Sequence, residues 1–150
     1  MNDPERGKIS ANISLFRMYA EKKDHDLAGV LVNDYYGFRI DYSSVGQLFS
    51  YLDEFLDYVN FPMAATRRRT FGESAPEKRE AMPEHVKDVE DGAIPDRQPD
   101  FILHVQFRQG ATWQGTLRRA DRQTTRRFRS ELELITLIMN ALDIERGKDL

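Results

Sequence analysis

The part of the chain most suited to chemistry is residues 103–130, which hold seven arginines and a single acid. A guanidinium binds phosphate and carboxylate groups through its charge and through paired hydrogen bonds. The spacing of Arg108, Arg118, Arg127 and Arg129 places them on one side of predicted strands. This pattern predicts a basic surface that binds an acidic protein or a nucleic acid.

The residue types used for catalysis or metal binding do not assemble into a motif. The chain has no cysteine, and its histidines are His25, His85 and His104. His25 lies between two aspartates in a predicted turn, and neighbouring residues in a turn rarely enclose a metal. There is no Walker loop, dinucleotide-binding turn or G-x-S-x-G motif. We therefore predict a non-enzymatic protein with no catalytic residue, cofactor or metal.

Two segments of the chain show the same order of residues, which indicates an internal repeat. Corresponding positions lie 86 residues apart from the first glycine onwards. The clearest pairs are Gly29 with Gly115 and Ser44 with Ser130, and Phe16-Arg17 has a counterpart in Phe107-Arg108 at a different spacing.

Each segment has the pattern of three strands followed by a helix. Aromatic and β-branched residues predict the strands, and Ser44 and Ser130, each followed three positions later by Gln or Glu, predict helix capping boxes. The predicted fold is α+β, with two related β-β-β-α units of antiparallel strands in residues 1–62 and 101–150. Residues 63–100 hold four of the six prolines and few large apolar side chains, so we predict a flexible linker there.

Strand alternation assigns each side chain to one face of its unit, once Phe107 and Trp113 are turned towards the helix. The opposite face of the second unit is then polar and basic, with His104, Gln106, Arg108, Gln114, Thr116, Arg118, Arg127 and Arg129. The matching face of the first unit has an apolar centre formed by Ile13, Leu15, Val30 and Val32.

An exposed apolar patch needs a cover, and a second copy of the chain can provide it. We therefore predict a homodimer that self-associates through Ile13, Leu15, Val30 and Val32. The alternative is a continuous six-stranded sheet that curls enough to bury the patch within one chain.

The leading interpretation is a non-enzymatic interaction or regulatory protein that also presents its basic face to an acidic partner. The alternative is nucleic-acid binding by that face, although it lacks the exposed aromatic side chains that stack bases in sheet-based readers. No run of 18 apolar residues occurs, and the first residues are polar. We therefore predict a cytoplasmic protein with no membrane partner.

The stretch from Phe101 to Leu142 resembles a small uncharacterised bacterial family found mostly in clostridial genomes. The residues that carry the resemblance are Phe107-Arg108-Gln109, Trp113-Gln114-Gly115, Phe128-Arg129-Ser130 and Glu131-Leu132-Glu133-Leu134-Ile135. The resemblance implies a module of strands followed by a helix and implies no catalytic activity.

Overall fold

The computed structural model describes residues 13–59, 82–109, 112–121 and 124–148. Within these ranges the strands are β1 (Leu15–Lys23), β2 (Asp26–Asn33), β3 (Phe38–Tyr42), β4 (Val86–Asp88), β5 (Phe101–Gln109), β6 (Thr112–Arg119) and β7 (Thr125–Phe128). The helices are α1 (Val45–Val59) and α2 (Glu131–Lys148), and a short 3-10 turn spans Val89–Asp91.

All seven strands form one antiparallel sheet in the order β4-β3-β2-β1-β5-β6-β7. The helix α1 packs on β2 and β3, and α2 packs on β6, β7 and β1, so the apolar core lies between the helices and one face of the sheet. This confirms the predicted α+β fold with two β-β-β-α arrangements. We call β1–β3 with α1 the first unit, β5–β7 with α2 the second unit, and the sheet face away from the helices the outer face.

Both predicted capping boxes are present. The backbone N–H of Gln47 donates to Ser44 Oγ at 3.0 Å, and that of Glu133 donates to Ser130 Oγ at 3.1 Å. In return, Gln47 and Glu133 each accept a hydrogen bond from the backbone N–H of the residue before the capping serine. These bonds satisfy N–H groups that a helix start leaves without partners, which explains why both helices begin where they do.

Gly29 and Gly115 occupy equivalent places in the two units. A Cβ atom at Gly29 would overlap the backbone oxygen of Tyr19, and one at Gly115 would overlap that of His104. Tyr19 therefore corresponds to His104, and the residue three positions before each is Phe16 or Phe101. The predicted equivalence of Phe16-Arg17 with Phe107-Arg108 is wrong.

The two units are related by an approximate two-fold axis between β1 and β5. Phe16 pairs with Leu103 and Met18 pairs with Phe101 across these strands. Phe16 corresponds to Phe101, and Met18 corresponds to Leu103. A two-fold rotation that exchanges the units therefore turns the first of these pairs into the second. Each unit thus covers an exposed edge strand of the other, which leaves no unpaired edge at the centre of the sheet.

Side chains from both units form one core. The ring of Phe49 on α1 packs edge-on against Trp113 on β6, with ring centroids 5.3 Å apart. Trp113 is only 4% exposed, which confirms its predicted place in the core. Phe16 and Phe55 make a similar edge-on contact at 5.4 Å in the first unit. These ring contacts, with the buried Leu48, Leu52 and Leu56 of α1, help to hold this helix on the sheet.

The segment predicted as a flexible linker is in part a component of the fold. Val86 on β4 pairs with Ile40 on β3 and is buried. From β4, at one edge of the sheet, the chain must return past β3, β2 and β1 to reach β5. We call the returning segment, Val89–Asp100, the strap. The prediction of a flexible linker is corrected where Val86–Asp88 pairs with β3, and residues 63–81 lie outside the described ranges.

The hydroxyl of Tyr42 makes the free energy of unfolding fall at alkaline pH. It is buried and donates a hydrogen bond to the backbone oxygen of Tyr19 at 2.7 Å. Burial, with a smaller contribution from the nearby charge of Asp100, raises the pKa of Tyr42 above its ordinary value of 10.0. The contribution of Tyr42 to the free energy of unfolding is fully present below about pH 10 and is lost as pH rises further. The reason is that the tyrosine ionises at a lower pH in the unfolded chain than in the folded one.

We expect Tyr42→Phe to lower the free energy of unfolding by about 1 kcal/mol at pH 7, where it removes one hydrogen bond. At pH 11 the difference from the original chain should shrink or vanish, because phenylalanine cannot ionise. Urea unfolding at the two pH values measures this. An equal difference at both would contradict the argument.

Candidate binding face

The strap lies over the outer face of the first unit. Arg39 Nη1 on β3 donates to the backbone oxygen of Ala93 at 2.9 Å, and the guanidinium of Arg97 lies 5.4 Å from the centre of the Tyr19 ring. Tyr19, Val32 and Arg39 point outwards and are almost completely buried, and the strap contacts two of them, Tyr19 and Arg39. The chain therefore covers this part of the sheet by itself.

The four residues predicted to mediate self-association differ in accessibility. Val32 is 0% exposed, so it is unavailable to a second copy, and its predicted role is corrected. Ile13, Leu15 and Val30 are half-buried. The sheet is continuous, as the alternative interpretation expected, but it has seven strands rather than six.

The outer face of the second unit has no such cover among the described residues. We call this surface the open face. It comprises Ile102, His104, Gln106 and Phe107 on β5, Gln114, Thr116 and Arg118 on β6, and Arg127 and Arg129 on and just after β7. The side chains of the three arginines are all exposed. Three of the four predicted basic residues thus share one surface.

Arg108, the fourth predicted basic residue, lies on the other side of the sheet. A β-bulge is the cause: Val105 pairs with Gly115, Phe107 pairs with Gln114, and Gln106 between them is an extra residue. An extra residue reverses the alternation of side chains beyond it. Arg108 is therefore turned towards α1 and is 5% exposed, whereas Phe107 is turned outwards and is 47% exposed. The predicted faces of both residues are wrong.

The buried guanidinium of Arg108 joins β5 to α1. Its Nη1 donates to Asp57 Oδ1 at 2.8 Å, and its Nη2 donates to the backbone oxygen of Leu56 at 3.4 Å. Asp53 Oδ1 lies 3.6 Å from the same Nη1 and also accepts a hydrogen bond from the Trp113 indole at 3.3 Å. The role of Arg108 is therefore structural.

Arginines near the outer face of the first unit are neutralised by carboxylates. The pairs are Arg17 with Asp34, Arg39 with Asp41 and Arg97 with Asp100, at 2.7–3.0 Å. The Arg17 pair is bidentate, with two 2.9 Å bonds, and the hydrogen bond to Asp34 is the main reason that the pKa of Arg17 is raised. These charges are already compensated within the chain.

The arginines of the open face differ in this respect. Within the described ranges, the side chains of Arg118, Arg127 and Arg129 make no ion pair with a carboxylate, and no acidic residue belongs to the open face. Exposed guanidinium groups in this state attract anions and can form bidentate hydrogen bonds with them. The open face is therefore equipped to bind a negatively charged partner.

A shallow hollow of about 300 Å³ lies at one end of the open face. The residues that line it are Gln106, Phe107, Gln114, Gly115, Arg127, Phe128 and Arg129. It offers an aromatic ring, two amide groups and two guanidinium groups to one ligand. Its volume is at the small end of the range for ligand pockets, and it opens onto the rest of the face.

The described residues offer no group of three or more His, Cys, Asp or Glu that could hold a metal ion. In the same part of the chain, no helix is long and apolar enough to cross a membrane. We therefore describe the site by its arginines and its aromatic ring alone.

Comparison with protein-family models, curated proteins and solved structures finds no match to this chain. The resemblance of Phe101–Leu142 to a clostridial family therefore stays a prediction, and the functional argument rests on the geometry of the open face.

Sequence reasoning assigned Phe107 to the core and so overlooked it as a functional residue. The signal for its outward position is Gly115, because an internal strand glycine often marks a bulge or a close backbone approach. The sequence does not indicate which residue of β5, the strand opposite Gly115, is the extra residue of the bulge. The position of this residue decides on which face every later side chain of β5 lies.

Proposed function

We propose that this protein is a non-enzymatic binding module whose open face holds an anionic partner. The observation that supports this proposal is the contrast between the two outer faces. One is partly covered by the strap and has its arginines paired. Among the residues that the structure describes, the other has no such cover and presents Arg118, Arg127 and Arg129 without carboxylate partners.

The net charge of −3 does not oppose this proposal at physiological salt. Charges separated by more than about 8 Å are largely screened there, so a partner on the open face responds mainly to the arginines beneath it. If the partner is a polyphosphate chain, three such contacts give a slope of about −2 to −3 in log affinity against log salt concentration.

Self-association through Ile13, Leu15 and Val30 stays a prediction and is not part of this proposal. Val32 is fully buried, and the strap contacts Tyr19 and Arg39 on the same face, so a second copy would have only the half-buried Ile13, Leu15 and Val30 to contact. No described segment would have to move before a partner could reach the open face.

The proposal is tested by chromatography on immobilised heparin, a polyanion without bases. The original chain should be retained at low salt and eluted by added salt. The double variant Arg118→Glu, Arg127→Glu should elute without retention, because two contact cations become repulsive anions.

The matched control is the double variant Arg126→Glu, Lys87→Glu, which changes the net charge equally. Arg126 is exposed on the helix side of β7, and Lys87 lies on β4 at the far edge of the sheet. This control should still be retained. Equal loss of retention in both variants, or no retention of the original chain, would overturn the proposal.

A further inference from the structure

We propose that the anionic partner is a single strand of nucleic acid, with one base stacked on Phe107 and its phosphates held by Arg118, Arg127 and Arg129. This inference rests on the proposed function and names the ligand of the same face.

The outward position of Phe107 is the first support. A phenyl ring that is 47% exposed on a sheet face, in a hollow with two arginines, is costly to hydrate and has no role in the core. Base stacking on an aromatic ring and phosphate binding by arginine are the two interactions on which single-strand binding depends. The bulge at Val105 and Phe107 brings both to one place.

The approximate symmetry of the chain argues against a second peptide segment as the ligand. Val30 and Val32 belong to the outer face that the strap covers, and their counterparts in the second unit are Thr116 and Arg118. Apolar residues at these positions suit close packing of a peptide segment. At the same positions the open face offers a hydroxyl and a guanidinium, which suit phosphates and polar groups.

The remaining polar groups of the hollow fit the edges of a base. The amides of Gln106 and Gln114 can each donate and accept a hydrogen bond, as unpaired base edges require. In a duplex these edges are paired and the ring faces are stacked on one another. Phe107 therefore favours a single strand over a double helix.

The test compares two fluorescently labelled strands of about twelve nucleotides, an oligothymidylate and an abasic strand with the same number of phosphates. Fluorescence anisotropy should show the oligothymidylate bound about tenfold more tightly, because only this strand can stack a base. Phe107→Ala should abolish that difference while leaving the salt dependence of binding unchanged.

Phe107→Tyr is the matched variant, because it keeps an aromatic ring at the same exposed position, and it should preserve the preference. Trp113 fluorescence reports whether each variant keeps its core, since the indole packs against Phe49. A preference that survives Phe107→Ala in a folded variant would overturn the inference.

The design separates failure of the inference from failure of the proposed function. Equal affinity for the abasic strand and the oligothymidylate, together with retention on heparin, overturns the stacked base, supports the anion-binding face and favours an acidic protein as the partner. Absence of binding to both strands and to heparin overturns both proposals.

Discussion

Arg108→Ala should lower the free energy of unfolding by about 2–3 kcal/mol. The guanidinium is buried, bonds Asp57 and the backbone oxygen of Leu56, and thereby fixes β5 to α1. Its removal deletes charge-assisted hydrogen bonds and leaves a cavity between the strand and the helix. The loss stays below the upper range for broken buried pairs, because the side chain of Asp57 is 31% exposed and water can reach its carboxylate.

The matched variant is Arg118→Ala, in the neighbouring strand but on the open face. Its side chain is exposed and has no ion pair in the described part of the chain, so the free energy of unfolding should change by less than about 0.5 kcal/mol. Retention on heparin should show the opposite contrast. Under conditions where both variants are folded, only Arg118→Ala should weaken retention. Urea unfolding followed by Trp113 fluorescence measures the first contrast. Similar stability losses for the two variants would contradict the opposite placement of these arginines.

Gly115→Ala should cost about 3 kcal/mol of unfolding free energy. A methyl group there would overlap the backbone oxygen of His104 and crowd the backbone nitrogen of Gln106, and a strand backbone cannot move aside as a flexible side chain can. The two strands would have to separate at the bulge that turns Phe107 outwards. We therefore also expect the preference for the oligothymidylate over the abasic strand to weaken in this variant.

Gly46→Ala provides the control for this substitution. Gly46 is exposed in the first turn of α1, and a Cβ atom there would meet only Ser44 Oγ, at an ordinary distance of 3.8 Å. Alanine in a helix should raise the free energy of unfolding by about 0.5 kcal/mol or more. Thermal or urea unfolding of the two variants should therefore give changes of opposite sign. A harmless Gly115→Ala would mean that β5 and β6 do not approach as closely as the structure shows.

The repeating pattern of the sequence was enough to predict the two units and their helix starts. Ser44 with Gln47 and Ser130 with Glu133 form capping boxes because the interaction needs only residues three apart. The aromatic and β-branched segments form strands for a similarly local reason. Local patterns of this kind gave no signal for β4, which has three residues and is held mainly by its pairing with β3.

The candidate site was predictable only in part. Arg118, Arg127 and Arg129 share a face as strand alternation requires, because no bulge separates them. Arg108 and Phe107 exchanged faces because one extra residue, Gln106, interrupts the alternation in β5. The pairing of two strands decides where such a residue is accommodated, and neither strand specifies it alone.

The sequence by itself determined the fold class, the repeat, the helix caps and the local excess of arginine in the second half. These properties depend on residue type and on spacings of a few positions. Only the tertiary structure decided that the strap lies over one outer face and not over the other. It also decided that Arg39 has a carboxylate partner, whereas Arg127 has none within the described ranges. The physical reason is that burial and ion pairing depend on which distant segments of the chain come into contact. The path of the chain from β4 to β5 decides which of them do.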